Sequence, residues 1–94
     1  MFRYFVVSLT FKRVASQDEG LAQRQFLQDL VERDVLILAG PLADSPGHGL
    51  AIVRAGSLVE ARTIYEGAPI IKKDIASWAI DEINVSYKSA ALSE

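Results

Sequence analysis

The stretch Val35-Leu36-Ile37-Leu38-Ala39-Gly40-Pro41 sets an unbroken apolar run directly against a Gly-Pro pair. Runs rich in β-branched and leucine residues, bounded by turn residues, are typical of buried strands. Gly40 can take backbone angles that other residues avoid, and Pro41 has no N–H with which to extend a ladder. We therefore predict a buried strand from Val35 to Ala39 that ends abruptly at a turn.

A second apolar segment, Leu50–Ala55, follows the loop Ala43–Gly49, which is rich in glycine, proline and aspartate. Two apolar segments that flank a loop of this composition favour an antiparallel hairpin. We expect the loop to form its tip.

The two remaining strands are predicted near the two ends of the chain. Phe2–Leu9 is apolar on both sides of its alternation, with Phe2, Tyr4 and Val6 on one side and Phe5, Val7 and Leu9 on the other. The last strand should span about Ser77–Tyr87. Its apolar residues follow two alternations that are one residue out of phase, so we expect a β-bulge near Asp81-Glu82.

Two helices are predicted between these strands. Ser16 and Glu19 have the spacing of a capping box, so the first helix begins between residues 17 and 21 and runs to about Arg33. A second helix opens at Ser57, with a glutamate three residues later. The segment Pro69–Ile75 is compatible with one further helical turn or with coil.

Composition limits the classes of protein to consider. A chain of 94 residues supports one hydrophobic core, so we expect a single domain over residues 1–94 with a frayed tail at 88–94. The net charge is −2 without a basic stripe, which argues against nucleic-acid binding. Cysteine is absent, and no apolar run is long enough to span a membrane. We expect a soluble cytoplasmic protein with no membrane partner.

The element order strand, helix, strand, strand, helix, strand is the split βαβ pattern of ferredoxin-like α+β domains, in which both helices cover one face of a four-stranded antiparallel sheet. Both Phe2–Leu9 and the Val35–Ala39 strand are apolar on their two sides. An apolar sheet face left uncovered exceeds what a monomer usually tolerates. We therefore predict a homodimer in which the open sheet faces pack together as a dimeric α/β barrel.

With these elements in place, the sequence resembles the YciI-like family of the dimeric α/β barrel superfamily. The resemblance rests mainly on Leu38-Ala39-Gly40-Pro41-Leu42, together with Val31-Glu32-Arg33-Asp34, Ala51-Ile52-Val53-Arg54-Ala55 and Ser57-Leu58-Val59-Glu60-Ala61-Arg62. It implies a small cofactor-independent enzyme or enzyme-like protein, with a pocket between helix and sheet that holds a His–Asp pair. The similar muconolactone-isomerase-like proteins act on small ring compounds.

The family pair is replaced in this chain. Counting back from Gly40-Pro41, the family histidine falls on Gln23, and the aspartate that precedes a proline after the second helix falls on Ala68. Imidazole can move a proton near neutral pH, whereas an amide can only hydrogen-bond and a methyl group can do neither. The sequence therefore leaves open whether the protein is an enzyme.

Candidate catalytic residues are His48, the only histidine, and Asp44 as a base or as its hydrogen-bond partner. The alternative is that His48 is solvated in its loop and that Asp44 simply forms the turn. The ligand-binding candidates are Gln23, Tyr4, Trp78 and Arg24. Their alternatives are core packing for the aromatic residues and solvated surface positions for the others. One histidine without cysteine argues against a zinc site, and we expect no metal and no cofactor.

These residues support two hypotheses of function. In the first, the protein binds a small cyclic or aromatic metabolite and acts on it by isomerisation or elimination, with His48 or Asp44 as acid or base and Gln23 orienting the ligand. In the second, it is a non-catalytic binding or assembly module. A third hypothesis, heme- or oxygen-dependent chemistry, requires an axial ligand, for which His48 in a glycine loop is poorly suited.

Overall fold

The computed structural model describes residues 2–92, and its elements follow the predicted order. They are β1 (Arg3–Phe11), α1 (Gln17–Glu32), β2 (Leu36–Pro41), β3 (His48–Ala55), α2 (Leu58–Tyr65), α3 (Pro69–Lys72), β4 (Ala76–Ile83) and a short 3-10 helix (Ala90–Leu92). Of the two alternatives for Pro69–Ile75, the helical turn is correct. Proline stands at its first position, where a missing N–H costs nothing.

The strands form one antiparallel sheet in the order β2-β3-β1-β4. The N-terminal strand β1 is central: Phe5 lies opposite Val53 of β3 on one side and Glu82 of β4 on the other. β2 pairs with β3, which confirms the predicted hairpin. Gly47 in its loop has φ +82°, a conformation that glycine adopts without steric cost.

The β-bulge lies in β2, and its prediction in the last strand was wrong. Leu36 faces Val53 while Leu38 faces Ile52, so the pairing of β2 shifts by one residue. The pairing of β1 with β4 runs from Tyr4 and Ile83 to Phe11 and Ala76 with a constant register. The two apolar alternations need no bulge, because one lies on each face of the sheet and the ladder ends at Ile83.

Side-chain caps fix where the longer helices begin. The Glu19 N–H donates to Ser16 Oγ over 3.2 Å, and the Ser16 N–H donates to Glu19 Oε1 over 2.8 Å, which completes the predicted capping box. Ser57 caps α2 by accepting from the Glu60 N–H over 3.1 Å. Within residues 2–92, no helix has the length and apolarity needed to cross a bilayer.

The helices cover one face of the sheet, and the core lies between them. Its buried side chains include Phe5, Val7, Leu9, Leu30, Val53, Tyr65, Ile70 and Ile75. In β1, the odd-numbered residues from Phe5 onward point into this core, as the predicted two-sided alternation requires.

The opposite side of the sheet, here called the open face, is not covered by α1, α2 or α3. By the alternation of each strand it carries Tyr4, Val6, Leu38, Ile52 and Ile83. Leu38 is 53% exposed, whereas Tyr4 is only 6% exposed. The difference arises because the chain beyond β4 crosses one end of this face and covers Tyr4. Of the tail predicted to be frayed, 90–92 form the 3-10 helix, and residues 93 and 94 lie outside the described residues.

Candidate functional site

A cavity of about 300 Å³ lies between the helices and the sheet, and we call it the helix–sheet cavity. Its lining residues come from β1, α1, the β2–β3 hairpin and α2–α3: Leu9, Phe11, Gln23, Leu27, Ala39, Gly40, Pro41, Gly49, Leu50, Tyr65 and Ile70. Almost all of these are apolar. Gly40 and Pro41 are among the wall residues, and they belong to β2, where they pair with Leu50 and Gly49 of β3. The prediction that the strand ends at Ala39 and that Gly40-Pro41 forms a turn was therefore wrong: β2 runs from Leu36 to Pro41.

Gln23 supplies the amide in this apolar wall. It lies on α1 four residues before Leu27, which places both side chains on the face of the helix that looks into the cavity. The backbone N–H of Ile70 donates to Gln23 Oε1 over 3.3 Å. A backbone N–H only donates, so the amide oxygen must face it. The amide nitrogen, with two donors, forms no hydrogen bond within residues 2–92 and is the group available to a ligand.

Tyr65 is the titratable residue among those that line the cavity in the described part of the chain. Its ring makes an edge contact with Phe26, centroids 5.9 Å apart, and a tilted contact with Trp78 at 6.0 Å. Burial raises the pKa of Tyr65 to about 12. Its phenol therefore stays neutral at physiological pH, where it can donate or accept a hydrogen bond but cannot act as a base.

Of the two positions that the family resemblance aligns with a His–Asp pair, Gln23 lines the cavity and Ala68 does not. Ala68 is fully buried and is the N-cap residue of α3, where its methyl group makes no side-chain hydrogen bond. Gln23 accepts from Ile70, two residues further along that helix. Neither Gln23 nor Ala68 carries a charge.

His48 and Asp44 lie outside the helix–sheet cavity. His48 begins β3, is exposed, and by the strand alternation points to the open face, where its Nδ1 lies 3.3 Å from Thr10 Oγ1. Asp44 is exposed in the turn between β2 and β3. No three His, Asp or Glu side chains of residues 2–92 converge as a metal site would require.

The remaining three candidates, Tyr4, Trp78 and Arg24, do not line the cavity beside Gln23. Tyr4 is buried on the open face. Trp78 is half-buried on the helix side of β4, where the Arg62 guanidinium lies 5.4 Å from its ring centroid, but it does not line the cavity. Arg24 is exposed on α1 and is not among the lining residues either. Gln23 is thus the one candidate of the six that lines the helix–sheet cavity.

Phe11 and Ile70 line the cavity but were not among the sequence candidates. Continuing the alternation of β1 two residues beyond Leu9 would have found Phe11. Ile70 was recognisable only through Pro69, which fixes the start of α3 and so turns the next residue inward.

Comparison with solved structures shows the same architecture in other proteins. The chain is similar to the 5-chloro-2-hydroxyhydroquinone dehydrochlorinase (TftG) from Burkholderia phenoliruptrix AC1100, solved in complex with 2,5-dihydroxybenzoquinone. The TM-score is 0.68 at 16% identity, over 97% of this chain and 99% of that one. It is also similar to the structural-genomics protein YJCS, with a TM-score of 0.62 at 13% identity, over 92% of this chain and 100% of that one.

No family model matches the sequence, and no curated protein is significantly similar to it. At these identities the likeness to solved structures concerns the fold. The chain has the ferredoxin-like α+β fold: a four-stranded antiparallel sheet with its helices on one face.

Proposed function

We propose that this protein is a YciI-like binding protein that takes a small cyclic or aromatic molecule into the helix–sheet cavity. The observation that carries the proposal is an apolar cavity of about 300 Å³ with a single amide, that of Gln23, in its wall. Small-molecule sites of this kind are mostly apolar, with a few polar groups that fix the orientation of the ligand. The volume is at the lower end of the range for such sites, so the ligand is small.

The walls favour a planar ligand that carries oxygen atoms. The ring of Tyr65 is held in place by its contacts with Phe26 and Trp78, so it offers a rigid aromatic surface. Gln23 Nε2 donates to a ring oxygen of the ligand, while Gln23 Oε1 stays bonded to Ile70. The small molecule bound in the TftG complex, 2,5-dihydroxybenzoquinone, has this chemistry and serves as a probe.

Binding without proton transfer is the activity that these groups support best. Neither Gln23 nor neutral Tyr65 exchanges a proton near pH 7, and His48 and Asp44 lie outside the cavity. The non-catalytic alternative is therefore favoured over an isomerase or lyase. Turnover of a ring compound that is lost in both His48→Ala and Asp44→Asn would contradict this choice.

The homodimer remains part of the proposal. The open face carries Leu38, half exposed, next to Val6 and Ile52 in the same row of the sheet. An apolar row of this kind is stabilised when the same face of a second copy covers it.

The binding proposal is tested by filling the cavity. Ala39 lines the cavity and is exposed to it, so Ala39→Phe should occupy the space with a ring. We expect wild-type protein to bind 2,5-dihydroxybenzoquinone saturably in a fluorescence or calorimetric titration, and Ala39→Phe to bind it at least about tenfold more weakly. Val59→Phe, on an exposed position of α2, is the matched control. Equal binding by all three proteins would contradict the proposal.

A further inference from the structure

The open face carries a carboxylate among its apolar side chains. Asp81 of β4 lies in the same row of the sheet as Val6 of β1 and Ile52 of β3, and the row continues to Leu38 of β2. Asp81 is exposed and forms no ion pair or hydrogen bond with the part of the chain that the structure describes. In the homodimer proposed above, on which this inference rests, a second copy covers this row. An unpaired carboxylate buried there would strongly destabilise the interface, so Asp81 needs a cation from the second copy.

Among residues 2–92, three side chains of the open face are cationic or can become so. Arg54 of β3 is already engaged, because its Nε donates to the carbonyl oxygen of Asp34 over 2.6 Å. Lys88 lies beside the Tyr4 ring, at the end of the face that the chain after β4 covers. The third is His48, which begins β3 and is exposed at the opposite end of the face. His48 is therefore the group available to a carboxylate of a second copy.

The neighbours of His48 on the sheet are uncharged. Thr10 of β1 lies opposite, with its Oγ1 3.3 Å from His48 Nδ1, and Ser77 of β4 follows in the same row. On the other side, the N–H of Leu42 donates to the carbonyl oxygen of His48 over 2.9 Å. The carboxylate of the same hairpin, Asp44, is exposed in the turn and forms no ion pair with His48. A histidine ordinarily gains its charge between pH 8 and pH 5, so this end of the face becomes cationic as the pH falls.

Asp81 and His48 lie diagonally on either side of Ser8. Ser8 pairs with Ala79 of β4 on one side and with Leu50 of β3 on the other. Asp81 stands two residues from Ala79 toward one end of the sheet, and His48 stands two residues from Leu50 toward the other end. With strands ~4.8 Å apart and residues of one face ~6.8 Å apart along a strand, the two positions are roughly 17 Å apart. They are too far from each other to pair within one copy.

A two-fold axis in the plane of the interface can exchange these two positions. On the same grid, the axis that does so crosses the open face over Ser8 and Leu38. It sets Asp81 of each copy against His48 of the other, and it stacks Leu38 on its own counterpart. We propose that the homodimer forms about this axis and is held by two reciprocal Asp81–His48 ion pairs. Because the pairs require a charged imidazole, the dimer becomes tighter as the pH falls from 8 to 6.

The first test is the dissociation constant of the dimer, measured by sedimentation equilibrium of the full chain between pH 8 and pH 6. Wild type should dimerise about tenfold more tightly at pH 6 than at pH 8. His48→Gln and Asp81→Asn should each abolish this gain, because each removes one charge of the pair. Asp18→Asn, at an exposed position of α1 on the other side of the sheet, is the matched control and should keep it.

The outcomes separate the ion pairs from the homodimer itself. A dimer whose affinity does not change with pH, or whose gain survives Asp81→Asn, would overturn the ion pairs and leave the homodimer standing. A wild-type monomer at every pH would overturn both.

An exchange of charges tests which positions meet. His48→Asp alone sets two carboxylates against each other at both contacts, so at pH 6 it should dimerise about tenfold more weakly than His48→Gln. Adding Asp81→His restores opposite charges, and the double variant should regain the affinity and the pH dependence of wild type. Both positions are exposed in the single subunit, so its fold should tolerate the changes. A double variant that dimerises no better than His48→Asp would overturn the assigned pairing.

Discussion

The side-chain oxygen of Gln23 accepts a hydrogen bond from the backbone N–H of Ile70 across 3.3 Å, which joins α1 to the first turn of α3. The first N–H groups of a helix have no partner inside it, so a side chain from another element is needed to satisfy this one. Gln23 thus links α1 to α3 at the wall of the helix–sheet cavity, and its amide nitrogen stays available to a ligand in that cavity.

Gln23→Leu is expected to lower stability and weaken ligand binding together. Leucine has a similar size but no acceptor, so the partly buried Ile70 N–H loses its partner and the free energy of unfolding should fall by about 1 kcal/mol. Denaturant unfolding measures this change, and a titration with 2,5-dihydroxybenzoquinone measures the loss of affinity. Gln25→Leu, at an exposed position of the same helix, should change neither. Equal effects of the two substitutions would show that the hydrogen bond has no special role.

A double-mutant cycle tests whether positions 23 and 68 face each other. Ala68 is fully buried, so Ala68→Asp alone should destabilise the fold by about 1–3 kcal/mol, because even at the N-cap of α3 the carboxylate is taken out of water without a cationic partner. Adding Gln23→His supplies a partner, and the two changes should couple favourably by about 1 kcal/mol or more.

The same double variant makes a prediction of pH dependence. A neighbouring carboxylate raises the pKa of the introduced imidazole above its unfolded value. The extra stability is then fully present below the unfolded pKa and is lost as the pH rises through the folded one. Unfolding curves and an imidazole NMR titration measure both effects. Strict additivity of the two substitutions would show that the side chains do not meet.

The sequence predicted the fold well because its signals are local. The capping box at Ser16 and Glu19 and the two-sided alternation of β1 each act over a few residues, and the structure has both. The predicted stop at Gly40-Pro41 was wrong by two residues: both belong to β2, because proline is tolerated on an edge strand. The bulge was predicted in the wrong strand because two alternations of apolar residues, one residue out of phase, have two possible causes. They arise either from a β-bulge or from a strand that is apolar on both faces, and the sequence does not distinguish these two cases. Only pairing with β1 showed that Ile80 and Ile83 lie on opposite sides of β4.

The site was less predictable, because it depends on which side of the sheet each residue faces. Gln23 was found because the family resemblance places it at the histidine position, and it lines the cavity. His48 and Asp44 were chosen for their chemistry, and nothing in their local sequence shows that His48 turns to the open face beside Thr10. Ile70 reaches the cavity through the packing of α3 on α1, a contact between segments 47 residues apart.

Glu19→Gln should reduce the dependence of stability on pH in acid. The hydrogen bond from Arg13, followed by that from the Ser16 N–H, lowers the pKa of Glu19 from 4.5 to about 2. A carboxylate with a depressed pKa stabilises the fold above its unfolded pKa, and this contribution is lost as the pH falls from about 4.5 to about 2. Glutamine keeps an acceptor for Ser16 but loses the charge.

The melting temperature of Glu19→Gln should therefore lie below that of wild type at pH 7, and the gap should close as the pH falls through that window. The control is Glu32→Gln. Glu32 is exposed in the last turn of α1 and takes part in none of the ion pairs formed within residues 2–92. The melting temperature of this variant should differ little from that of wild type at any pH. A gap for Glu19→Gln that stays constant with pH would contradict the assignment.

Leu38→Glu is expected to break the proposed homodimer without unfolding the subunit. Leu38 is 53% exposed on the open face, so a single subunit tolerates a charge there. In a dimer built from two such faces, each glutamate would be buried against apolar side chains of the other copy, which costs several kcal/mol for an unpaired charge. Light scattering across a concentration series should show a dimer for wild type and a monomer for Leu38→Glu. Val59→Glu, at a position of α2 that is 74% exposed and away from the sheet, should remain dimeric. A wild-type monomer at every concentration, or a Leu38→Glu dimer as stable as wild type, would show that the open face is not the interface.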